Sequence, residues 1–264
     1  MIKEFKTKLV FIQNIHLRMI FIGQDQLSIE DFSAVLFEKK EIGFTDEALK
    51  TVDENFKFLK SFSANKLIYG INTGFGPMAQ YKVSDENLLA LQYNLIRSHS
   101  SGDGDILPAH FARALMIARL NSLMKAYSGI HTNLVELLKE LINKDINPCI
   151  YEHGGVGASG DLVQLAHLGL FLIGEGEALY GGEVYLTKEI FERFNIQPLT
   201  IYGREGLAVM NGTSAMTGIG MINIIYAQKS FHWGVLLSAM MNEVVEAYDD
   251  HYSYELNAVK LHRG

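Results

Sequence analysis

From Arg204 to about Asp250 the chain is rich in Met, Ala, Ile and Gly and shows no polar stripe wide enough to face water as a helix. A segment of that kind has to be covered by other helices, from its own chain or from partner copies. Gly212, Ala215, Gly218 and Gly220 supply small residues where two helices can approach closely. This stretch selects a helical bundle for residues 204–264 and a homo-oligomer as the natural way to bury it.

Upstream the periodicity is again helical. Ser28 is placed to cap a helix through about Lys39 with Phe32, Val35 and Leu36 on one face, and Thr45 to cap a second carrying Leu49, Val52, Phe56 and Leu59. Leu88, Leu91 and Leu95 predict a third from Ser84 to about Arg97, and two more are expected over about 108–125 and 132–143. Residues 178–186, around Gly181-Gly182, read as the one good hairpin. The expected fold class is therefore mainly α: an N-terminal mixed domain with a short hairpin over residues 27–203, followed by the start of a long-helix bundle. Residues 1–26 read as an extension. Its apolar stretch is interrupted by Gln13, Asn14, His16 and Arg18 before a signal-peptide core is reached, so neither signal nor anchor is expected.

Composition narrows the partners. At 264 residues and 48% hydrophobic the chain can bury a substantial core. A net charge of −7 and a pI near 5.7 leave no basic footprint, so neither nucleic acid nor an anionic membrane is an expected partner. The single Cys149 excludes a disulfide framework within the chain and a cysteine-built metal site, and it fits a reducing cytoplasm.

The segment richest in chemical possibility is His153-Gly154-Gly155-Val156-Gly157-Ala158-Ser159-Gly160-Asp161, with a helix starting directly after it. From spacing alone it reads as a tight turn into a helix capped by Ser159 or Asp161. A phosphate cradle is a further option, but neither a Walker lysine nor a G-x-G-x-x-G run accompanies it. Taken singly, Tyr69 reads as a half-buried loop tyrosine, Asn211 before Gly212 as a turn, and Ser98-His99 as a solvated loop pair.

Together, three runs resemble the signatures of the histidine, tyrosine and phenylalanine ammonia-lyases, and they occur in that family's order. They are Tyr69-Gly70-Ile71-Asn72-Thr73-Gly74-Phe75-Gly76, Gly157-Ala158-Ser159-Gly160-Asp161-Leu162 and Glu205-Gly206-Leu207-Ala208-Val209-Met210-Asn211-Gly212-Thr213. The likeness extends from about Leu27 to the end of the chain. It implies that Ala158, Ser159 and Gly160 cyclise and lose water to give a methylidene-imidazolone electrophile, with no added cofactor and no metal. It further implies that Tyr69 is the base, that Asn211 hydrogen-bonds the prosthetic group and the substrate carboxylate, and that helix N-termini raise the electron demand of the electrophile.

Ser98-His99 falls where the family's substrate-selectivity pair sits, and Ser-His is the pattern of histidine lyases. The runs Glu152–Gly157 and Asp161–His167 look closer to a tyrosine-acting subgroup. The resemblance thus implies ammonia elimination from an aromatic L-amino acid, with tyrosine to 4-coumarate preferred and histidine to urocanate as the alternative. Family members are longer tetramers whose active sites combine loops from three subunits, and their later carboxylate-clamping positions have no counterpart here. A chain that only assembles with a longer relative, without catalysis of its own, is the expectation of another class.

Overall fold

The structure, a computed structural model, describes residues 19–260 apart from Gln24 and Asn65. Residues 1–18 of the expected extension lie outside the described residues. The Ser28 hydroxyl accepts from the Asp31 amide at 3.0 Å and opens α1 (Ile29–Phe37); Thr45 accepts from the Ala48 amide at 3.2 Å and opens α2 (Asp46–Ser63). Each cap satisfies an amide that a first helical turn leaves unpaired. Ahead of α1, β1 (Ile20–Phe21) pairs in parallel with β2 (Ile42–Gly43), and Ile22 is buried. The boundary expected after residue 26 is thereby corrected. Residues 20–22 belong to the fold, because the apolar Ile20-Phe21-Ile22 run joins a strand made only after α1.

α3 (Asp85–His99), α4 (Ala109–Leu123) and α5 (Thr132–Asn143) follow within a few residues of their expected bounds. α4 is the internal helix of this part of the chain, buried at nearly every position from Ala112 to Leu123, two arginines included. Arg113 donates to the Val35 carbonyl, to the Ile142 carbonyl and to the Asp145 carboxylate at 3.1 Å. A cation at those carbonyls ties the C-terminal ends of α1 and α5 to the internal helix.

The short strands hold loops rather than build a core. β6 (Glu177–Tyr180) and β7 (Glu183–Leu186) form the expected hairpin, with Gly181 and Gly182 both at positive φ as a two-residue turn of this hand requires. β4 (Asn147–Pro148) adds to β6, and β3 (Asp103–Ile106) pairs antiparallel with β5 (Tyr151–His153). The last pairing fastens the loop after α3 to the strand that leads into the glycine-rich run.

Then come α6 (Leu162–Leu172), α7 (Thr187–Phe194), α8 (Glu205–Met210), α9 (Ser214–Val244) and α10 (Tyr254–Ala258). The segment read as continuous bundle helix from Arg204 is interrupted at Asn211-Gly212. The chain divides into compact units at Ile222/Asn223, not at the expected 203/204. The reason is packing: α8 lies against α3 and α6, and Gly218 of α9 sits so close to α4 that an added Cβ would meet the Ala114 carbonyl carbon at 2.7 Å. In the second unit, Phe231, Trp233, Leu237, Met240 and Val244 are exposed. Among the described residues no helix is long and apolar enough to cross a membrane.

Candidate active site

The three glycine-bearing runs meet at one short helix. α8 has six residues, and its N-cap, Arg204, makes no side-chain cap. Gln92 of α3 supplies one from outside. Its side chain is 1% exposed; Oε1 accepts from the Leu207 amide at 3.0 Å and Nε2 donates to the Gly70 carbonyl at 3.2 Å. A single amide therefore fastens the Tyr69-Gly70 loop to the helix that ends at Asn211. Gly70 has φ +73°, and a Cβ there would collide with the Leu207 side chain, so only glycine allows this approach.

The other end of α8 is held from α4. Arg119, buried, donates to the Ala208 and Asn211 carbonyls, the latter at 2.9 Å. These are orphan carbonyls of the helix C-terminus, and a guanidinium is the suitable donor for them. Burial pulls the Arg119 pKa down to about 10, while the negative charge of Asp161 acts in the opposite direction.

Arg119 also shapes the glycine after Asn211, because a Cβ on Gly212 would run into its guanidinium. Gly212 in turn meets the Ala158-Ser159-Gly160 segment. Gly160 and Gly212 form an isolated parallel bridge, and the Asp161 amide donates to the Gly212 carbonyl at 2.8 Å. Gly160 has φ +86°, with its missing Cβ directed at the Gly212 carbonyl oxygen. Ala158 and Ser159 are exposed, and nothing lies within 4 Å of a Cβ built on Gly157.

Asp161 does not cap the helix it precedes, as the tight-turn reading expected, and neither does Ser159. The Asp161 Oδ2 accepts from the Met216 amide at 2.8 Å, in the first turn of α9, so the carboxylate joins the Ala158-Ser159-Gly160 segment to the next helix. Asn211 is the exposed C-cap of α8. The Tyr69 hydroxyl accepts from the Gly76 amide at 3.3 Å, and its ring meets Phe75 edge-on at 6.1 Å.

Ser98 and His99 end α3. His99 Nδ1 lies 2.9 Å from the Leu95 carbonyl, an acceptor only, so in the neutral ring Nδ1 carries the hydrogen and Nε2 is left as an acceptor. Ser98 Oγ lies 3.1 Å from the same Nδ1. The chain beyond them is pinned by the Gly102 amide donating to His167 Nε2 at 3.0 Å, and burial holds the His167 pKa down, consistent with an accepting neutral ring. Behind α8, Glu205 is fully buried and accepts from the His131 and Tyr202 amides at 2.6 Å each; burial pushes its carboxyl up to about 7 against those two donors.

Sequence reasoning thus placed Tyr69, Ala158, Ser159, Gly160 and Asn211 in three runs; the third contains α8, the first is fastened to it through Gln92, and the second meets Gly212 just beyond its end. Gln92, Arg119 and Glu205, which do the fastening, were not singled out. For Arg119 the available signal was a charged residue inside a largely apolar helix; Gln92, one of several polar residues of α3, gave none. A cavity of about 750 Å³ among Glu136, Lys139, Asn195 and Tyr202 includes none of the motif residues. Among the described residues no cluster of three or more His, Cys, Asp or Glu is placed to hold a metal.

The sequence profile described as aromatic amino acid lyase matches residues 27–264. A histidine ammonia-lyase of Shouchella clausii (strain KSM-K16) is 38% identical over 236 residues, covering 88% of this chain and 47% of that protein. Histidine ammonia-lyase from Trypanosoma cruzi matches with TM-score 0.85 and 28% identity, over 94% of this chain and 48% of that one. A tyrosine aminomutase from Streptomyces globisporus matches with TM-score 0.73 and 34% identity, over 77% of this chain and 38% of that one. The chain spans about half the length of the curated relatives it matches.

Proposed function

Because the chain belongs to the aromatic amino acid lyase family, we propose that it carries the electrophile-bearing part of an ammonia-lyase, with histidine as the substrate and urocanate as the product. The observation that carries the lyase reading is the closure of Gly160-Asp161 onto Gly212, which sets the Ala158-Ser159-Gly160 backbone beside the segment bearing Asn211. The residues fit the methylidene-imidazolone group: an exposed serine, a third-position glycine at positive φ, and open space at Gly157. When formed, that group supplies an electrophilic carbon for the substrate amine.

The rest of the chemistry falls to side chains. Tyr69 takes the β-proton, the electrons of that C–H bond become the new double bond, and ammonia departs. Asn211 hydrogen-bonds the substrate carboxylate. Ser98 and His99 select the ring, and the acceptor Nε2 of His99 suits an imidazole N–H. The likeness to histidine ammonia-lyases favours histidine over the tyrosine that the Glu152–Gly157 and Asp161–His167 runs suggested. A tyrosine reading draws support from those runs and from the tyrosine aminomutase neighbour. The exposed apolar face of residues 231–244 supports assembly with further copies, a tetramer by analogy with the family.

The test is the mass of the Ser159 peptide in the purified chain, followed by assays with histidine and tyrosine, alone and with a longer homologous chain. Loss of two waters with urocanate formation supports the proposal. An intact Ser159 and no product under either condition leaves a chain with a structural part only.

A further inference from the structure

Touching the first run only at Ile71, a cavity of about 210 Å³ is lined by Phe56, Leu59, Ile71 and Tyr202, with Lys60 and Arg204 as its charged residues. Both charges are positive. Arg113 has Asp145 at 3.1 Å and Arg119 has two carbonyls and the charge of Asp161, but Arg204 has no comparable partner among the described residues. Its Nε is buried without a hydrogen bond. The adjacent Glu205 directs its two oxygens to the His131 and Tyr202 amides.

A buried guanidinium N–H without a hydrogen bond is costly, and native folds rarely leave one so. Burial lowers the Arg204 pKa, with no neighbouring charge acting against it. Beside it, aromatic rings continue from Phe56 to His131 to Tyr202, each pair of centroids 5.2 Å apart. Flat apolar walls with a one-signed polar end are the usual make-up of a small-ligand site.

We infer that this cavity binds a small monocarboxylate with a flat aromatic body, its carboxylate on Arg204 and Lys60 and its ring against Phe56 and Tyr202. The volume suits a molecule of amino-acid size. Ile71 lies in the loop that carries Tyr69, so an occupant contacts the proposed base loop from outside the site. If the lyase reading holds, the arylacrylate product has this chemistry and the cavity senses product; the binding itself does not depend on that reading.

The experiment is titration calorimetry of the whole chain with cinnamate and with cinnamamide, which keeps the ring and lacks the charge. Wild type and Ser159→Ala are expected to bind cinnamate equally. Cinnamamide on wild type, and cinnamate on Arg204→Met, are expected to bind at least about tenfold more weakly, the loss of one charge-assisted hydrogen bond. Lys60→Met, at an exposed position, is expected to weaken binding several-fold and decides the matter if Arg204→Met fails to fold. No cinnamate binding, binding unchanged in both cation variants, or binding lost in Ser159→Ala overturns the inference. Because Ser159→Ala cannot form the electrophile, failure of the lyase reading leaves this result untouched.

Discussion

Replacing Gln92 by methionine removes the bridge between the Tyr69 loop and α8 while keeping the volume of the side chain. Two backbone groups lose their partners, the Leu207 amide and the Gly70 carbonyl, at a residue 1% exposed to solvent. Water cannot readily replace the missing amide there. Each stranded group costs about 1–3 kcal/mol, so the variant is expected to lose about 2–6 kcal/mol in all. At this chain length that corresponds to a fall of about 4–24 °C in Tm. Thermal unfolding by far-ultraviolet circular dichroism measures the global effect, and hydrogen exchange at Leu207 reads the local one. Gln92→Glu sharpens the argument: it keeps an acceptor for Leu207 but sets a carboxylate against the Gly70 carbonyl, so its penalty should shrink as pH falls and the group protonates. A Gln92→Met chain within about 0.5 kcal/mol of wild type, with unchanged exchange at Leu207, would refute the bridge.

Other expectations follow from the same contacts. Glu205 has its pKa raised by burial from 4.5 to about 7, so its contribution to stability is complete below pH 4.5 and is lost as pH rises through about 7; Glu205→Gln should remove that part of the stability-versus-pH profile in urea titrations. Gly160→Ala places a Cβ against the Gly212 carbonyl at φ +86°, and the strain, about 1–3 kcal/mol, should open the bridge and leave Ser159 at its unmodified mass. Cys149 is buried, with its thiol pushed up to about 12; it should resist iodoacetamide at pH 8 in the folded chain and react once urea unfolds it, and rapid labelling of the native chain would contradict the packing around it.

What could be read along the chain was local. Ser28 and Thr45 announce their helices because a cap and the amide it satisfies lie three residues apart, and Gly181-Gly182 announces its hairpin because the turn itself needs two positive φ values. The pairings β1 with β2 and β3 with β5 left no such trace, since each joins short segments separated by a helix or more. The same limit hid the framework of the candidate site. Gln92 and Arg119 look like ordinary polar positions on helices until partners far along the chain surround them. Asp161 was misread for a related reason: it precedes one helix but caps another. The candidate site residues were legible only through the resemblance of their three runs to a known family; the glycines by themselves marked turns, because close backbone approach restricts residue type without naming the approaching partner.

The bonds that assemble the site span long stretches of chain: Gln92 to Leu207 across 115 residues and Arg119 to Ala208 across 89. Closures of that length are entropically demanding and form slowly compared with local helix contacts. A chain emerging from the ribosome can complete α1 to α5 and the β6–β7 hairpin well before α8 exists, since N-terminal parts fold first during synthesis. Until then Gly70, Gln92 and Gly160 have nothing to close upon. On the proposed lyase reading, Ser159 would acquire the backbone geometry for cyclisation only after Gly212 has been translated and docked, so an intact-mass loss at Ser159 would report that this closure has formed.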